Sequence, residues 1–233
     1  MPEEMLRWYP DGGLVGIGRV SADHPEDWLA WHFTHISNLD LILEEDALLP
    51  SAIARPLTNV GQLSIKQSRK SEPVRLPARA YPPSVVADHI PLYFAAKSPM
   101  LFKVCRGHAD YQGGAGPLVF LGFRVGDIVD AGCTWCATNA NAATSWAEYT
   151  QDLEGLGDFV DFEVLTARIW KRTPEEPDRP SRRAAELLVR DRLPLDLLGL
   201  VVTQNGPTSH EVSARLASVG LQRSVMVRPD MYY

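Results

Sequence analysis

Residues 182–189 read Arg-Arg-Ala-Ala-Glu-Leu-Leu-Val, and Pro194 follows shortly after them. The run from 184 to 188 has high helix propensity, and a glutamate on an exposed helix needs no function. Residues 187–189 are instead apolar over the length of a short buried strand. Glu186 therefore has a structural and a functional interpretation, and the rest of the chain must decide between them.

Short apolar runs of strand length occur along the whole chain. Residues 28–35 alternate apolar and polar positions as a strand does, and Ser37 then provides an N-cap for a helix to about Leu48. Further strands are predicted at 90–95, 100–105, 118–125, 134–137, 199–204 and 224–227, and further helices at 140–149, 162–170 and 209–217. Because strands and helices do not alternate regularly, the pattern favours an α+β fold over a doubly wound sheet.

The length of 233 residues fits one β-containing domain. Residues 1–26 are rich in Gly, Pro and charge and are predicted to be an irregular lead-in, so the single domain is placed at 27–233. Residues 52–87 are basic and repeatedly interrupted by proline. A loop of this length inside a compact domain is usually functional or disordered.

Composition limits the class of protein. Hydrophobic residues make up 45% of the chain and charged residues 22%, as in ordinary soluble proteins. No apolar run approaches the roughly 18 residues of a membrane span, and no secretory signal is present, so we expect a cytoplasmic protein without a membrane partner. Cys133 and Cys136 have CxxC spacing, but no second ligand pair accompanies them, so no metal is assigned.

The net charge of −6 argues against a general nucleic-acid coat protein. Basic residues nevertheless gather in two clusters, Lys66, Arg69, Lys70, Arg75 and Arg79, and Arg168, Lys171, Arg172, Arg179, Arg182, Arg183, Arg190 and Arg192. From charge alone, both clusters are interpreted as solvated loop surfaces.

Four segments in order give a specific indication. They are His32-Phe33-Thr34-His35 followed by Asn38, Ile65-Lys66 followed by Arg69, residues 90–94 running into Ser98-Pro99-Met100-Leu101, and residues 182–189. Together with Asn141-Ala142, their content and order resemble the DarT family of DNA ADP-ribosyltransferases over roughly residues 31–200. The resemblance implies an α+β ADP-ribosyltransferase fold in which two small antiparallel sheets with flanking helices hold NAD⁺ in the cleft between them.

The resemblance also implies the activity and the partners. The family transfers ADP-ribose from NAD⁺, its co-substrate, to a base in single-stranded DNA, on thymidine in one branch and guanosine in another. The chain resembles the thymidine branch more closely. A macrodomain antitoxin removes the mark, and no metal is needed. Single-stranded DNA and such an antitoxin are therefore the expected partners.

Two residues match the catalytic positions of the family. Glu186 matches the catalytic glutamate, which can stabilise the oxocarbenium-like centre and remove the proton of the incoming base nitrogen. Arg69 matches the essential arginine, which can pair with a pyrophosphate or polarise a base carbonyl. The family often shows paired arginines here, whereas this chain has Ser68-Arg69-Lys70.

Other candidate residues are assigned to NAD⁺ or to DNA. His32 and Thr34 lie two apart on a strand and face the same way, so both can reach NAD⁺. Asn38 adds a polar contact, and Tyr93 is a surface on which nicotinamide or a base can stack. The predicted DNA contacts are Lys66, Lys70, Asn141, Arg182 and Arg183, because basic loops that flank Arg69 and Glu186 can line a single-strand path.

Alternative functions remain open at this point. The same fold can act on guanosine, RNA or protein, or hydrolyse NAD⁺. A catalytically dead chain can serve as a nucleic-acid or antitoxin-binding module. A metal-dependent nuclease would need clustered acidic and histidine ligands, of which Asp88-His89 is the sole hint.

Overall fold

A computed structural model describes residues 5–9, 13–18 and 20–233. The strands are β1 (Leu6–Trp8), β2 (Val15–Ile17), β3 (Leu29–His35), β4 (Ala47–Leu48), β5 (His89–Tyr93), β6 (Leu118–Arg124), β7 (Trp135–Thr138), β8 (Tyr149–Thr150), β9 (Glu186–Arg190), β10 (Leu193–Pro194), β11 (Leu198–Thr203) and β12 (Ser224–Val227). The centre of the fold is an eight-stranded sheet in the order β12-β11-β6-β3-β5-β9-β7-β8. The α-helices are α1 (Leu39–Glu44), α2 (Leu63–Arg69), α3 (Pro99–Arg106), α4 (Val125–Asp130), α5 (Leu156–Phe159), α6 (Phe162–Thr166), α7 (Arg179–Arg182) and α8 (Gly206–Ser218).

The large sheet is nearly divided between β3 and β5. These two strands pair at a single position, Trp31 opposite Tyr93. Continued in antiparallel register, the ladder would set His32 against Leu92 and then Phe33 against Pro91, and Pro91 has no N–H to donate to it. The strands separate there, leaving one half with β12, β11, β6 and β3 and another with β5, β9, β7 and β8.

The α+β class is therefore confirmed, but the sheet arrangement needs two corrections. The two small sheets expected from the sequence are halves of one sheet joined at Trp31 and Tyr93. The pairing is also not wholly antiparallel, because β11 and β12 run parallel.

Both faces of the sheet are packed, and the packing around Trp31 is especially close. The Trp31 ring is fully buried and lies edge-on to Phe120, with 5.8 Å between the ring centroids. A Cβ added at Gly122, the β6 residue opposite Trp31, would lie 2.7 Å from that ring. Only glycine fits at this position, and Trp31 is the residue at which the two halves of the sheet meet.

Most predicted elements are present, but two were assigned to the wrong type. Residues 100–105 form helix α3 rather than a strand, because Ser98 caps the helix by accepting from the Leu101 N–H and Pro99 starts it. Residues 140–149 are turns that lead into β8 rather than a helix. There Asn141 Oδ1 accepts from the N–H of Ala143 and stabilises a turn.

The predicted irregular lead-in also contains regular structure. Leu6–Trp8 and Val15–Ile17 form a small antiparallel sheet, with Leu6 opposite Ile17. Residues 1–4, 10–12 and 19 of this segment lie outside the described residues. The domain boundary at 26 and 27 stays a prediction.

Candidate active site

A cleft of about 370 Å³ opens where β3 and β5 separate. We call it the split-sheet cleft. Its walls come from β3, β5, helices α1 and α2 and the segment 47–62. Six of the predicted site residues line it, namely His32, Thr34, Asn38, Lys66, Arg69 and Tyr93. The structure thus brings together side chains that are far apart in the sequence.

Glu186 lies directly behind this wall and is held by Arg69. Arg69 Nη1 donates to Glu186 Oε1 over 3.1 Å and Nη2 donates to Oε2 over 2.9 Å. Glu186 is fully buried and Arg69 is 6% exposed, so the guanidinium separates the carboxylate from the cleft. Burial disfavours the charge on Arg69, but the adjacent Glu186 carboxylate outweighs this and raises the Arg69 pKa above its ordinary value. Arg69 therefore stays charged.

The backbone around Glu186 is also fixed. Glu186 is the first residue of β9 and lies opposite Tyr93. The buried hydroxyl of Thr138 accepts from the Glu186 N–H over 3.2 Å and donates to the Ala140 carbonyl over 2.7 Å. These bonds hold the start of β9, so the carboxylate is placed by a rigid strand and not by a helix surface.

His32 lies in the cleft as a neutral imidazole. Its Nδ1 is 3.1 Å from the Pro91 carbonyl oxygen, which can only accept, so Nδ1 carries the proton. Burial lowers the His32 pKa, and the charges of Lys66 and Arg69 lower it further. At neutral pH the ring therefore offers Nε2 as a hydrogen-bond acceptor.

Asn38 connects β3 to the opposite wall of the cleft. Its Nδ2 donates to Thr34 Oγ1 over 2.9 Å and to the Thr58 carbonyl over 2.8 Å, and the Thr58 N–H donates to Asn38 Oδ1 over 2.9 Å. Asn38 thus fixes the segment 47–62. Thr58 was not identified from the sequence, because an isolated threonine in a loop gives no periodic signal.

Tyr93 and Lys66 complete the polar end of the cleft. The Tyr93 ring is stacked on Phe33, with centroids 6.1 Å apart and planes 17° apart, so one face of the tyrosine is already packed. Burial lowers the pKa of Lys66, and the charge of Arg69 lowers it further. Lys70, one residue beyond α2, is exposed. Lys66 faces the cleft, whereas Lys70 lies on the surface beside it.

The other predicted DNA contacts are not in the cleft. Arg183 is 1% exposed, and its Nη1 donates to the carbonyls of Val164, Leu165 and Ala167. This buried position among interior carbonyls favours a structural role for Arg183 over the predicted contact with DNA. Arg182 is paired with three carboxylates, those of Asp161, Glu176 and Asp178.

Two further sequence predictions concern metals and membranes. Within the described ranges, no group of three or more His, Cys, Asp and Glu side chains is arranged to hold a metal ion. Cys133 and Cys136 are free thiols, and burial raises the Cys136 pKa to about 12. No helix in the described part of the chain combines the length and apolar character needed to span a membrane.

Comparison with known proteins gives consistent matches over nearly the whole chain. Residues 31–233 match the family described as ssDNA thymidine ADP-ribosyltransferase, DarT. The chain is 43% identical over 230 residues to a DNA ADP-ribosyl transferase of Mycobacterium tuberculosis, an alignment that covers 98% of this chain and 100% of the relative.

Solved structures are similar in fold. Thermus sp. 2.9 DarT in complex with ADP-ribosylated ssDNA superposes with a TM-score of 0.82 at 27% identity, covering 98% of this chain and all of the other. The same protein in complex with NAD⁺ gives a TM-score of 0.76 at 29% identity, covering 88% and 97%. These matches confirm the predicted ADP-ribosyltransferase fold.

Proposed function

Because the chain belongs to the DarT family of single-stranded DNA ADP-ribosyltransferases, we propose that the split-sheet cleft binds NAD⁺ and that Glu186 and Arg69 transfer ADP-ribose to a thymine base. The enzyme is a transferase that uses NAD⁺ as co-substrate and single-stranded DNA as acceptor. The observation that carries the residue assignments is the bidentate Arg69–Glu186 pair behind a cleft lined by a neutral histidine.

The cleft residues suit the parts of NAD⁺. His32 Nε2 accepts a hydrogen bond from a ribose hydroxyl, which is why its neutral state matters. Thr34 and Asn38 supply further polar contacts, and the part of Tyr93 that lines the cleft contacts the nicotinamide ring. Lys66 faces the cleft as a cation, so we assign it to the pyrophosphate rather than to DNA.

The reaction needs a stabilised cation and a base. The bond between nicotinamide and ribose breaks with its electron pair leaving on nicotinamide, and the Glu186 carboxylate stabilises the oxocarbenium-like ribose carbon. Thymine within DNA carries one N–H group, at N3, so N3 forms the new bond to that carbon. The N3 proton passes to Glu186 and then to solvent. The products are free nicotinamide and ADP-ribosylated DNA.

During this reaction Arg69 has to give up one of its two hydrogen bonds to Glu186. Both carboxylate oxygens accept from Arg69 in the structure. Turning one guanidinium N–H from the carboxylate to a thymine carbonyl frees a carboxylate oxygen for the N3 proton and polarises the base at the same time. Arg69 then remains hydrogen bonded in either arrangement.

The proposal extends to partners and location. We assign Lys70 and Asn141 to the acceptor side, as contacts of the DNA backbone near the target base. The charge of Arg182, by contrast, is compensated by its carboxylate partners. A macrodomain antitoxin that removes ADP-ribose is the expected protein partner. A cytoplasmic location fits a protein that needs both NAD⁺ and DNA.

The test offers labelled NAD⁺ with single-stranded oligonucleotides that each lack one base, and with RNA and protein. Mass spectrometry then locates any added ADP-ribose. An adduct on every oligonucleotide except the one without thymine supports the proposal. Modification that follows guanine, RNA or protein contradicts the acceptor, and free ADP-ribose without an adduct indicates a glycohydrolase. Unconsumed NAD⁺ would favour a binding module.

A further inference from the structure

Three aromatic rings form a cluster on the surface beside helix α3. Phe102 meets Tyr233 edge-on with 5.1 Å between centroids and Trp170 with 6.1 Å. The indole Nε1 of Trp170 donates to Tyr233 Oη over 3.0 Å. The mutual packing fixes the rings, yet Phe102 and Tyr233 are each 37% exposed.

Cationic side chains cover this cluster. Lys97 Nζ lies 4.9 Å from the centroid of the Tyr233 ring, and the guanidinium carbon of Arg106 lies 5.4 Å from that of Phe102. Phe102 and Arg106 are four residues apart on α3 and so share one face of the helix. We call Lys97, Phe102, Arg106, Trp170 and Tyr233 the aromatic–cation patch.

An acidic group beside Lys97 of the patch is already paired with another cation. The Asp230 carboxylate, which interacts with the charge of Lys97, accepts two hydrogen bonds from Arg228, over 2.8 and 2.7 Å. The pair with Arg228 lowers the pKa of Asp230. The patch thus keeps its positive charge, although the chain as a whole carries a net charge of −6.

Helix α3 joins the patch to the cleft. Met100, in its first turn, lines the split-sheet cleft. Lys103 Nζ donates over 3.0 Å to Oε1 of Gln62, another residue of the cleft wall. A DNA strand whose target base enters the cleft and whose backbone crosses α3 therefore reaches the patch next.

We propose that the aromatic–cation patch binds nucleotides that flank the target base of the single-stranded DNA substrate. Single-strand sites combine aromatic surfaces on which bases stack with cations that follow the phosphates. Phe102 and Tyr233 provide the exposed rings, and Lys97 and Arg106 provide the charges of the patch; Lys103 adds a further cation between the patch and the cleft. A surface that binds a protein partner would be expected to be larger and more apolar, without a cation above each exposed ring. This inference rests on the proposed function, because it takes the target base to be in the cleft.

The test compares two oligonucleotides with the same central thymine, one of about 3 and one of about 12 nucleotides, the longer one matching the size of a single-strand site. For Phe102→Ala we expect kcat/KM to fall about tenfold or more on the longer strand, as is usual when a stacking ring is removed, and to stay unchanged on the shorter one. Val219→Ala, which trims another exposed apolar side chain, directly after α8, serves as control.

Arg106→Gln provides a second variant with a separate readout. The affinity of the longer strand, measured by fluorescence anisotropy at several salt concentrations, is expected to lose about 0.7 from its logarithmic salt slope, the value for one phosphate contact on a single strand. Both side chains are exposed, so both variants should fold, which the thermal unfolding midpoint checks.

The outcomes separate this inference from the proposed function. If Phe102→Ala lowered kcat/KM equally on both oligonucleotides, or on neither, the patch would not be a site for flanking nucleotides. The proposed transferase function would be unaffected by that result. If the wild type modified neither strand, the proposed function would fail. Anisotropy would then still show whether the two variants weaken binding of the longer strand.

Discussion

Arg69 and Glu186 are a buried ion pair, and each depends on the other. Removing one partner leaves an uncompensated charge in the interior, which typically costs about 3–5 kcal/mol. We expect Arg69→Ala to lower the free energy of unfolding by about this amount, and Arg69→Lys to lower it less because the charge is kept. Urea denaturation measures both. Lys70→Ala, the exposed neighbour, should change stability by less than about 0.5 kcal/mol, and an equally mild Arg69→Ala would contradict the buried pair.

Lys66 and Lys70 are predicted to act on different substrates. Lys66 lines the cleft and Lys70 is exposed beside it. Lys66→Gln should raise the KM for NAD⁺ several-fold with little effect on the KM for DNA, and Lys70→Gln should do the reverse. Steady-state kinetics with each substrate varied in turn measures this, and each variant is the control for the other. If both variants changed the KM for NAD⁺ and the KM for DNA in the same way, the assignment of the two lysines to different substrates would be wrong.

At the scale of single residues, the sequence predicted which polar side chains line the cleft better than it predicted where each candidate side chain lies. Glu186 was recognised through its motif, although the alanines before it favour a helix, because tertiary pairing with β5 outweighs local propensity. The burial of Arg183 was not predictable, since eight basic residues in one region give no sign of which one binds interior carbonyls.

Among the elements, the segment that precedes β5 is held by one buried histidine. His89 Nδ1 donates to the Val85 carbonyl over 3.0 Å, and its Nε2 accepts from Tyr81 Oη over 2.7 Å. Burial lowers the His89 pKa to about 4. The folded chain therefore keeps this histidine neutral at pH values where the unfolded chain protonates it.

Stability should consequently fall on acidification. Between about pH 6.5 and pH 4 the unfolded state binds the extra proton, so the free energy of unfolding decreases by up to about 1.4 kcal/mol per pH unit from this group. His32, whose pKa is also lowered, acts in the same direction. His89→Gln should flatten the slope measured by urea denaturation, and Tyr81→Phe should keep most of it. A slope unchanged by His89→Gln would refute this origin.

A second prediction at this scale concerns the packing of Trp31, where β3 meets β5. Gly122→Ala would put a methyl group 2.7 Å from the Trp31 ring, and such overpacking costs about 1–3 kcal/mol. Gly206→Ala is the matched control, because an added Cβ there meets no atom within 4 Å. Chemical denaturation of the two variants should separate them clearly, and equal stabilities would show that Trp31 can move freely.

Elements were predictable where the residue types themselves favour one structure, and were mispredicted where a single capping residue decides the type. Residues 224–227 were assigned as a strand with the observed bounds of β12. Residues 100–105 are a helix that the apolar pattern does not reveal, because its two fully buried residues, Leu101 and Val104, give too little periodicity to separate a helix from a strand. The Ser98 cap decides the type of this element.

For the whole molecule, the central feature is a sheet that is almost divided. The family resemblance predicted an NAD⁺ cleft between two sheets, and the cleft does lie between two halves of the sheet. What the sequence did not indicate is that a single pair, Trp31 with Tyr93, still joins the halves. Pairing between distant strands depends on packing around both, which no local pattern records.

The division also explains how rigid strands surround the Arg69–Glu186 pair, to which we assign the reaction. His32 and Thr34 come from one half of the sheet, and Tyr93 and Glu186 come from the other. Strands hold side chains more precisely than loops do, and precise placement is what a reaction between two bound substrates requires. Arg69, at the end of the short helix α2, is the site residue best placed to move.

The most direct measurement is single-turnover transfer of ADP-ribose by Glu186→Gln, with saturating NAD⁺ and a thymine-containing single strand. The variant keeps the shape of the side chain but cannot accept the N3 proton or stabilise the cationic ribose. We expect adduct formation to fall by at least about 100-fold, with NAD⁺ still bound, while Glu154→Gln, an exposed glutamate elsewhere, reacts like the wild type. Adduct formation by Glu186→Gln at the wild-type rate would contradict the assignment of Glu186 as the catalytic carboxylate.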